Sequence, residues 1–90
     1  MSHADSRRLA SIAKGFANPH RINILYMLEK EDGLSLSEIV DKLRINFRTA
    51  SEHSKKLVNA GLIKKSYYAN TVQHTLTPLG QSVVSFLKIL

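Results

Sequence analysis

The hydrophobic periodicity of the chain changes at Gly61, and this change limits the folds that the sequence can adopt. Before Gly61, apolar residues recur at the three- and four-residue spacing of amphipathic helices. After it, residues 62–68 and 72–77 are β-prone, and the short link between them predicts a hairpin with positive φ at Asn70. A last apolar helical segment follows. The sequence therefore predicts a mainly α fold with a small β-hairpin near its C-terminal end.

Capping residues divide the helical segments. The predicted helix starts are Asn18-Pro19, Ser35 with Glu38 as a capping box, Asn46, and Thr77-Pro78. A first helix covers about residues 4–17, and Leu34–Leu36 can form a short strand. The predicted order is α-α-(short β)-α-α-β-β-α in a single domain over residues 1–90, with Ile24, Leu25 and Leu28 in its core.

The fourth predicted helix begins "NFRTASEHSKKL", and few of its residues are expected to lie in the core. Phe47, Ala50 and Leu57 form one stripe, and charged residues lie opposite. Residues 41–65 carry seven basic and two acidic side chains, whereas residues 1–40 carry five of each. Such a basic block indicates a surface that faces a polyanion, although an ordinary solvated face has the same composition.

The composition excludes several classes of protein. The chain has no cysteine, which excludes disulfides, zinc fingers and thiol catalysis and fits a reducing compartment. No apolar run approaches the roughly 18 residues of a membrane span, and no signal-peptide pattern opens the chain. No spacing of nucleophiles or carboxylates supports catalysis. We expect a cytoplasmic protein that is neither an enzyme nor membrane-bound.

The stretch "SLSEIVDKLRINFRTASEHSKKLVNAGLIKK" resembles the winged helix-turn-helix repressors of the ArsR type, with the MarR type second. Upstream, "NPHRINILYML" is similar to the ArsR-type entry into the second helix, whereas "LTPLG" is more MarR-like. The resemblance implies sequence-specific binding of double-stranded DNA by a homodimeric transcriptional regulator, with a recognition helix over about 47–60 in the major groove. A winged helix that binds proteins and an architectural DNA-binding protein with little sequence preference remain alternatives.

The resemblance also implies site residues. Arg48 and Thr49 are placed to reach base edges. Glu52 could accept from a cytosine amine or orient Arg48 or Lys56 at helical spacing, and we favour orientation. His53 matches a family DNA contact but also fits a half-buried polar residue. The predicted DNA-binding set is Arg48, Thr49, Ser51, Glu52, His53, Lys55, Lys56, Lys64 and Lys65, with the four lysines on phosphates. Arg44 stands where the turn commonly has glycine, and Ser54 replaces a usual leucine on the buried face.

Metal sensing does not carry over from the family. Many ArsR-type proteins bind metals through cysteines in the third helix or Asp/His pairs in the last, and neither set is present. His3, His20 and His74 show no ligand spacing. We expect no metal and no cofactor, and the sequence does not indicate whether a small-molecule effector exists.

The terminal helices, residues 4–17 and 78–90, predict a dimer interface. "QSVVSFLKIL" has more apolar residues than one domain core can cover, although packing within one subunit is the alternative. In the hairpin, Tyr67 and Tyr68 could flank DNA or a ligand, but strand aromatics are more often packing residues. We therefore expect one of the two to face the core.

Overall fold

The computed structural model describes residues 3–90, with side chains from Asp5 onward. The elements are α1 (His3–Phe16), α2 (Pro19–Lys30), α3 (Leu36–Leu43), α4 (Phe47–Asn59), β1 (Ile63–Tyr68), β2 (Thr71–Leu76) and α5 (Pro78–Ile89). The strands form an antiparallel hairpin. The predicted strand at Leu34–Leu36 is reduced to a single bridge between Leu34 and His74. The mainly α fold with a β-hairpin is confirmed, and α3, its three-residue turn and α4 form the helix-turn-helix.

Side-chain caps begin four of the helices, as the sequence predicts. Asn18 Oδ1 accepts from the backbone N–H of His20 at 2.9 Å, and Asn46 Oδ1 accepts from that of Thr49 at 2.7 Å. Ser35 and Glu38 form the reciprocal capping box that starts α3, and Thr77 Oγ1 caps α5. Each such cap stabilises the fold by about 1 kcal/mol. The start of α4 is therefore determined locally, by Asn46.

The core lies where the helices meet the base of the hairpin. Its buried apolar residues are Ile24, Leu25, Leu28, Leu34, Ile39, Ala50, Leu57, Leu62, Ile63, Val83 and Val84. The predicted core position of Phe47 is wrong, because its side chain is 58% exposed. The buried stripe of α4 is Ala50, Ser54 and Leu57. Phe47 is the first residue of α4, one turn before Ala50, and lies beyond the part of the helix that the core covers.

Positive φ angles occur just after α3, just after α4 and in the hairpin turn. Arg44 adopts the left-handed conformation (φ 56°, ψ 41°) that ends α3, which costs roughly 1–2 kcal/mol without glycine. Gly61, just after α4, has a φ of 76°, as predicted. At the hairpin tip, positive φ is found at Ala69 and not at the predicted Asn70. Because Tyr68 pairs with the residue at 71, Ala69 is the first central residue of a two-residue turn, where type II′ turns need positive φ.

The outer half of the hairpin extends past the core. Tyr67 and Tyr68 are both exposed, so the prediction that one of them faces the core is wrong. Tyr67 shares its face with the buried Ile63, but it lies four residues further along the strand, about 13 Å away. Tyr67 therefore lies on the face of the hairpin that packs on the core, but the core covers only the base of the hairpin.

Two close approaches join the helices around the core. A Cβ on Gly15 would overlap the Cβ of Ala60, so the end of α1 lies directly against the end of α4. A Cβ on Gly80 would overlap the carbonyl oxygen of Leu62, so α5 lies against the backbone that leads into β1. These contacts place α1 against the end of α4 and α5 against the start of β1.

Candidate nucleic-acid interface

The exposed face of α4 is polar and lies opposite its buried stripe. Arg48, Glu52 and Lys55 are exposed on this face. The side chain of Arg48 is 91% exposed, and its Nε lies 3.6 Å from Oε1 of Glu52, one helical turn away. An exposed pair of this kind stabilises a helix by only about 0.3–0.5 kcal/mol. The pair brings the Glu52 carboxylate next to the Arg48 guanidinium, and the orienting role of Glu52 stays a prediction.

His53 lies on the flank of α4 that packs against α2. Its ring centroid is 5.5 Å from that of His20, and its Nδ1 is buried with no hydrogen-bond partner in the described part of the chain. Burial lowers the pKa of His53, and the positive charges of Arg21, His20 and Lys56 lower it further. Nearby Thr49 and Ser51 are also half-buried. His53 is thus a half-buried residue, and its contact with DNA stays a prediction.

The four predicted phosphate-binding lysines do not form one patch. Lys55 and Lys56 are exposed on α4, and Lys64 and Lys65 are exposed at the start of β1. Successive side chains of a strand point to opposite faces, so Lys64 and Lys65 cannot lie on the same side of the hairpin. Lys65 pairs with the buried His74 and shares its face. The structure therefore separates two residues that the sequence places together.

Two basic residues outside the predicted block lie beside α4. Lys14 from α1 and Arg21 from α2 line a cavity with Lys56. Sequence analysis missed both as site residues, because residues 1–40 balance their charges and the three positions are far apart along the chain. The only sequence signal was the Pro-x-Arg pattern at the start of α2, which points to Arg21.

No metal site or membrane helix is found in the part of the chain that the structure describes. None of its residues form a group of three or more His, Cys, Asp or Glu side chains that could hold a metal ion. No described helix has the length and apolar character needed to cross a membrane.

Solved structures share this architecture over nearly their whole length. HlyU from Vibrio cholerae has a TM-score of 0.85 and 28% identity, covering 96% of this chain and 94% of that chain. The homodimeric winged helix-turn-helix DNA-binding domain of Mb0332 from Mycobacterium bovis has a TM-score of 0.86 and 19% identity, covering 99% and 85%. The transcriptional repressor PagR of Bacillus anthracis has a TM-score of 0.84 and 21% identity, covering 96% and 99%. At these last two identities the likeness shows the fold alone.

Comparison with curated protein sequences gives no significant match. The family described as "Bacterial regulatory protein, arsR family" matches residues 18–65, just over half of the chain. This range runs from the cap of α2 through the helix-turn-helix into β1, and therefore includes the whole of α4. The chain belongs to the arsR family of bacterial regulatory proteins, as the resemblance of its helix-turn-helix predicts.

Proposed function

We propose that the protein is a homodimeric transcriptional regulator that binds double-stranded DNA with sequence preference. The observation that carries this proposal is α4, a capped helix with a narrow buried stripe and an exposed face bearing Arg48 and Lys55. A helix of this width fits the major groove of B-DNA. Membership of a bacterial regulatory family supports the proposal, and a bacterial regulator of this kind would act in the cytoplasm, where its DNA lies.

The residues of the interface divide into those that read bases and those that bind phosphates. Arg48, in the first turn of α4, is exposed and oriented by Glu52, and arginine is the commonest reader of guanine O6 and N7. Thr49 is its neighbour in the same turn. Lys55 and Lys56 lie two turns further along, where a docked helix leaves the bases and passes the backbone. Phosphate contacts at these positions would raise affinity without reading sequence.

The dimer interface would be formed by α1 and α5. Between them lies an apolar groove of about 260 Å³, lined by Leu9, Ile12, Ala13, Phe16, Leu79, Ser82, Val83 and Phe86. Leu9 and Phe86 are about half exposed, and Ile89 and Leu90 at the end of α5 are more so. The homodimeric state of the Mb0332 domain supports the same arrangement here. A two-fold axis through this groove would present two copies of α4 to half-sites about 34 Å apart.

The proposal is tested by measuring the affinity of variants for two duplexes at two salt concentrations. One duplex is selected from a random pool by the wild-type protein, and the other is random. Arg48→Ala should cost about 1–3 kcal/mol on the selected duplex and much less on the random one. Lys55→Ala should weaken both equally and reduce the salt slope by about one ion.

Three outcomes would contradict parts of the proposal. Equal losses for Arg48→Ala on both duplexes would remove its base-reading role and favour an architectural DNA-binding protein. DNA binding that does not depend on salt, or no binding at all, would favour a winged helix that binds proteins. A monomer at micromolar concentration would exclude the two-fold arrangement.

A further inference from the structure

A basic cavity lies between α1, α2 and α4, at the edge of the proposed DNA interface. It has a volume of about 310 Å³ and is lined by Ser11, Lys14, Gly15, Arg21, Lys56, Asn59 and Ala60. Each of the three helices contributes one cation, and none of the described residues that line the cavity is acidic. Ser11 and Asn59 add a hydroxyl and an amide that can donate hydrogen bonds.

Arg21 is the unusual member of this cavity. It is only 9% exposed, and its buried Nε has no hydrogen-bond partner among the residues that the structure describes. The ion pairs found in the described part of the chain engage Glu29, Glu31 and Glu52, and none of them includes Arg21. Burying the Nε–H of a guanidinium without an acceptor is costly, because this donor has lost the water that would otherwise bond to it. Arg21 is therefore a charged donor that lacks its acceptor.

The packing of the helices holds the other two cations next to Arg21. Gly15 lies directly against Ala60, so neighbouring Lys14 is brought to the end of α4, where Lys56 projects. Asn18 already accepts from the backbone N–H groups of His20 and Arg21 at the start of α2. These two amides are satisfied, so a ligand would be bound by the side chains. The positive charge of this region also lowers the pKa of His53.

We propose that this cavity binds a phosphate-type oxyanion, with Arg21 as its fixed hydrogen-bond donor and Lys14 and Lys56 supplying further charge. The guanidinium presents donors in a planar fork that matches two oxygens of a tetrahedral anion. The oxyanion could be a phosphodiester of the bound DNA or a free molecule that carries a phosphate. The chemistry is the same in both cases, and the site exists whether or not α4 reads bases.

The first test uses inorganic phosphate and no DNA. Phosphate is titrated into the wild-type protein at constant ionic strength, with chloride as the balancing anion, while the NMR signal of the Arg21 Nε–H is followed. We expect a saturable shift. Lys14→Gln should weaken phosphate binding by about tenfold, because one charged contact is lost. Binding to this variant is measured from the backbone amide signals of Asn59 and Ala60.

Lys30→Gln is the matched control, because it removes the same charge from the exposed end of α2, away from the cavity. It should bind phosphate like the wild type. Arg21→Gln should abolish phosphate binding. Because Lys14 is exposed, Lys14→Gln should fold, and it keeps the test decisive if Arg21→Gln does not fold. A shift that fails to saturate, or equal affinities for Lys14→Gln and Lys30→Gln, would overturn the proposal without affecting the proposed DNA binding.

The second test identifies the source of the oxyanion. If DNA supplies it, Lys14→Gln should bind duplex DNA more weakly than Lys30→Gln, and phosphate should compete with DNA at constant ionic strength. If a free molecule supplies it, the two variants should bind DNA equally, although Lys14→Gln binds phosphate about tenfold more weakly than Lys30→Gln. Both results support an oxyanion site and differ only in what fills it.

Discussion

The helices α4 and α5 are similar in length and in what they bury, but they differ in what they expose. Each buries three small or aliphatic residues against the same core: Ala50, Ser54 and Leu57 in α4, and Gly80, Val83 and Val84 in α5. The face of α4 opposite its buried stripe is charged, whereas α5 exposes Phe86, Ile89 and Leu90. The buried stripe is enough to hold each helix in the fold. The exposed remainder indicates the partner, a polyanion for α4 and an apolar surface for α5.

The charges of the two helices are also handled differently. The only cation of α5, Lys88, pairs with Glu29 of α2, which also accepts from Gln81 at 3.3 Å. These contacts, chiefly the hydrogen bond from Lys88, lower the pKa of Glu29. By contrast, Lys55 and Lys56 of α4 make no ion pair within the described part of the chain. The charge of α5 is neutralised internally, and that of α4 remains available to a ligand.

The largest expected effect is on the oligomeric state, through the exposed apolar residues of α5. Phe86→Asp places a charge in the groove between α1 and α5, where burial against a second subunit would require desolvation of the carboxylate. We expect this variant to be a monomer in light scattering after gel filtration, whereas the wild type should have about twice the chain mass of 10.1 kDa. Tyr67→Asp, at an exposed aromatic residue of the hairpin, is the control and should remain a dimer. A dimeric Phe86→Asp would exclude this groove as the interface.

The buried stripes can be compared by introducing alanine into each. Gly80→Ala should lower the free energy of unfolding by about 1–3 kcal/mol, because the new Cβ overlaps the backbone carbonyl of Leu62, which cannot move as a side chain can. The measurement is urea unfolding. Ser85→Ala, at an exposed position of α5 that does not line the groove between α1 and α5, is the control and should change stability by less than about 0.5 kcal/mol. Equal effects of the two variants would show that α5 does not depend on this close approach.

Introducing alanine into the buried stripe of α4 should have the opposite effect on stability. Ser54 is 2% exposed, and its Oγ is buried without a hydrogen-bond partner in the residues described. Ser54→Ala removes this unsatisfied hydroxyl, so we expect the free energy of unfolding to rise by about 1 kcal/mol. Ser37→Ala on the exposed side of α3 should be close to neutral. A loss of stability for Ser54→Ala would mean that the hydroxyl is bonded in solution.

The smallest effect concerns the flank of α4. The pKa of His53 is lowered from its usual 6.5, chiefly by burial, so the unfolded chain binds a proton more readily than the folded one. The stability that neutral His53 contributes is therefore fully present above pH 6.5 and is lost as the pH falls through the lower, folded-state pKa. Urea unfolding above and below pH 6.5 should show that the free energy of unfolding falls more steeply with decreasing pH for the wild type than for His53→Gln. Parallel pH profiles would contradict this assignment.

Much of the fold could be predicted because its determinants are local. Asn18, Ser35, Asn46 and Thr77 cap helices through bonds that span only two or three residues, so the starts of α2, α3, α4 and α5 follow from short patterns. The positive φ at Gly61 follows from the same short-range chemistry. The errors lie at the ends of elements. Phe47 has a helical spacing that suits the core, and the face of Tyr67 is that of Ile63, but no neighbouring element covers either residue.

By itself, the sequence determined the order of the elements, the position of the recognition helix and the surplus of charge on it, because periodicity and capping depend on residues within a turn or two. Only the tertiary structure decided that Lys14 and Arg21 join Lys56. Such groupings depend on how closely helices distant in the chain can approach. Here the missing side chain of Gly15, packed against Ala60, permits that approach.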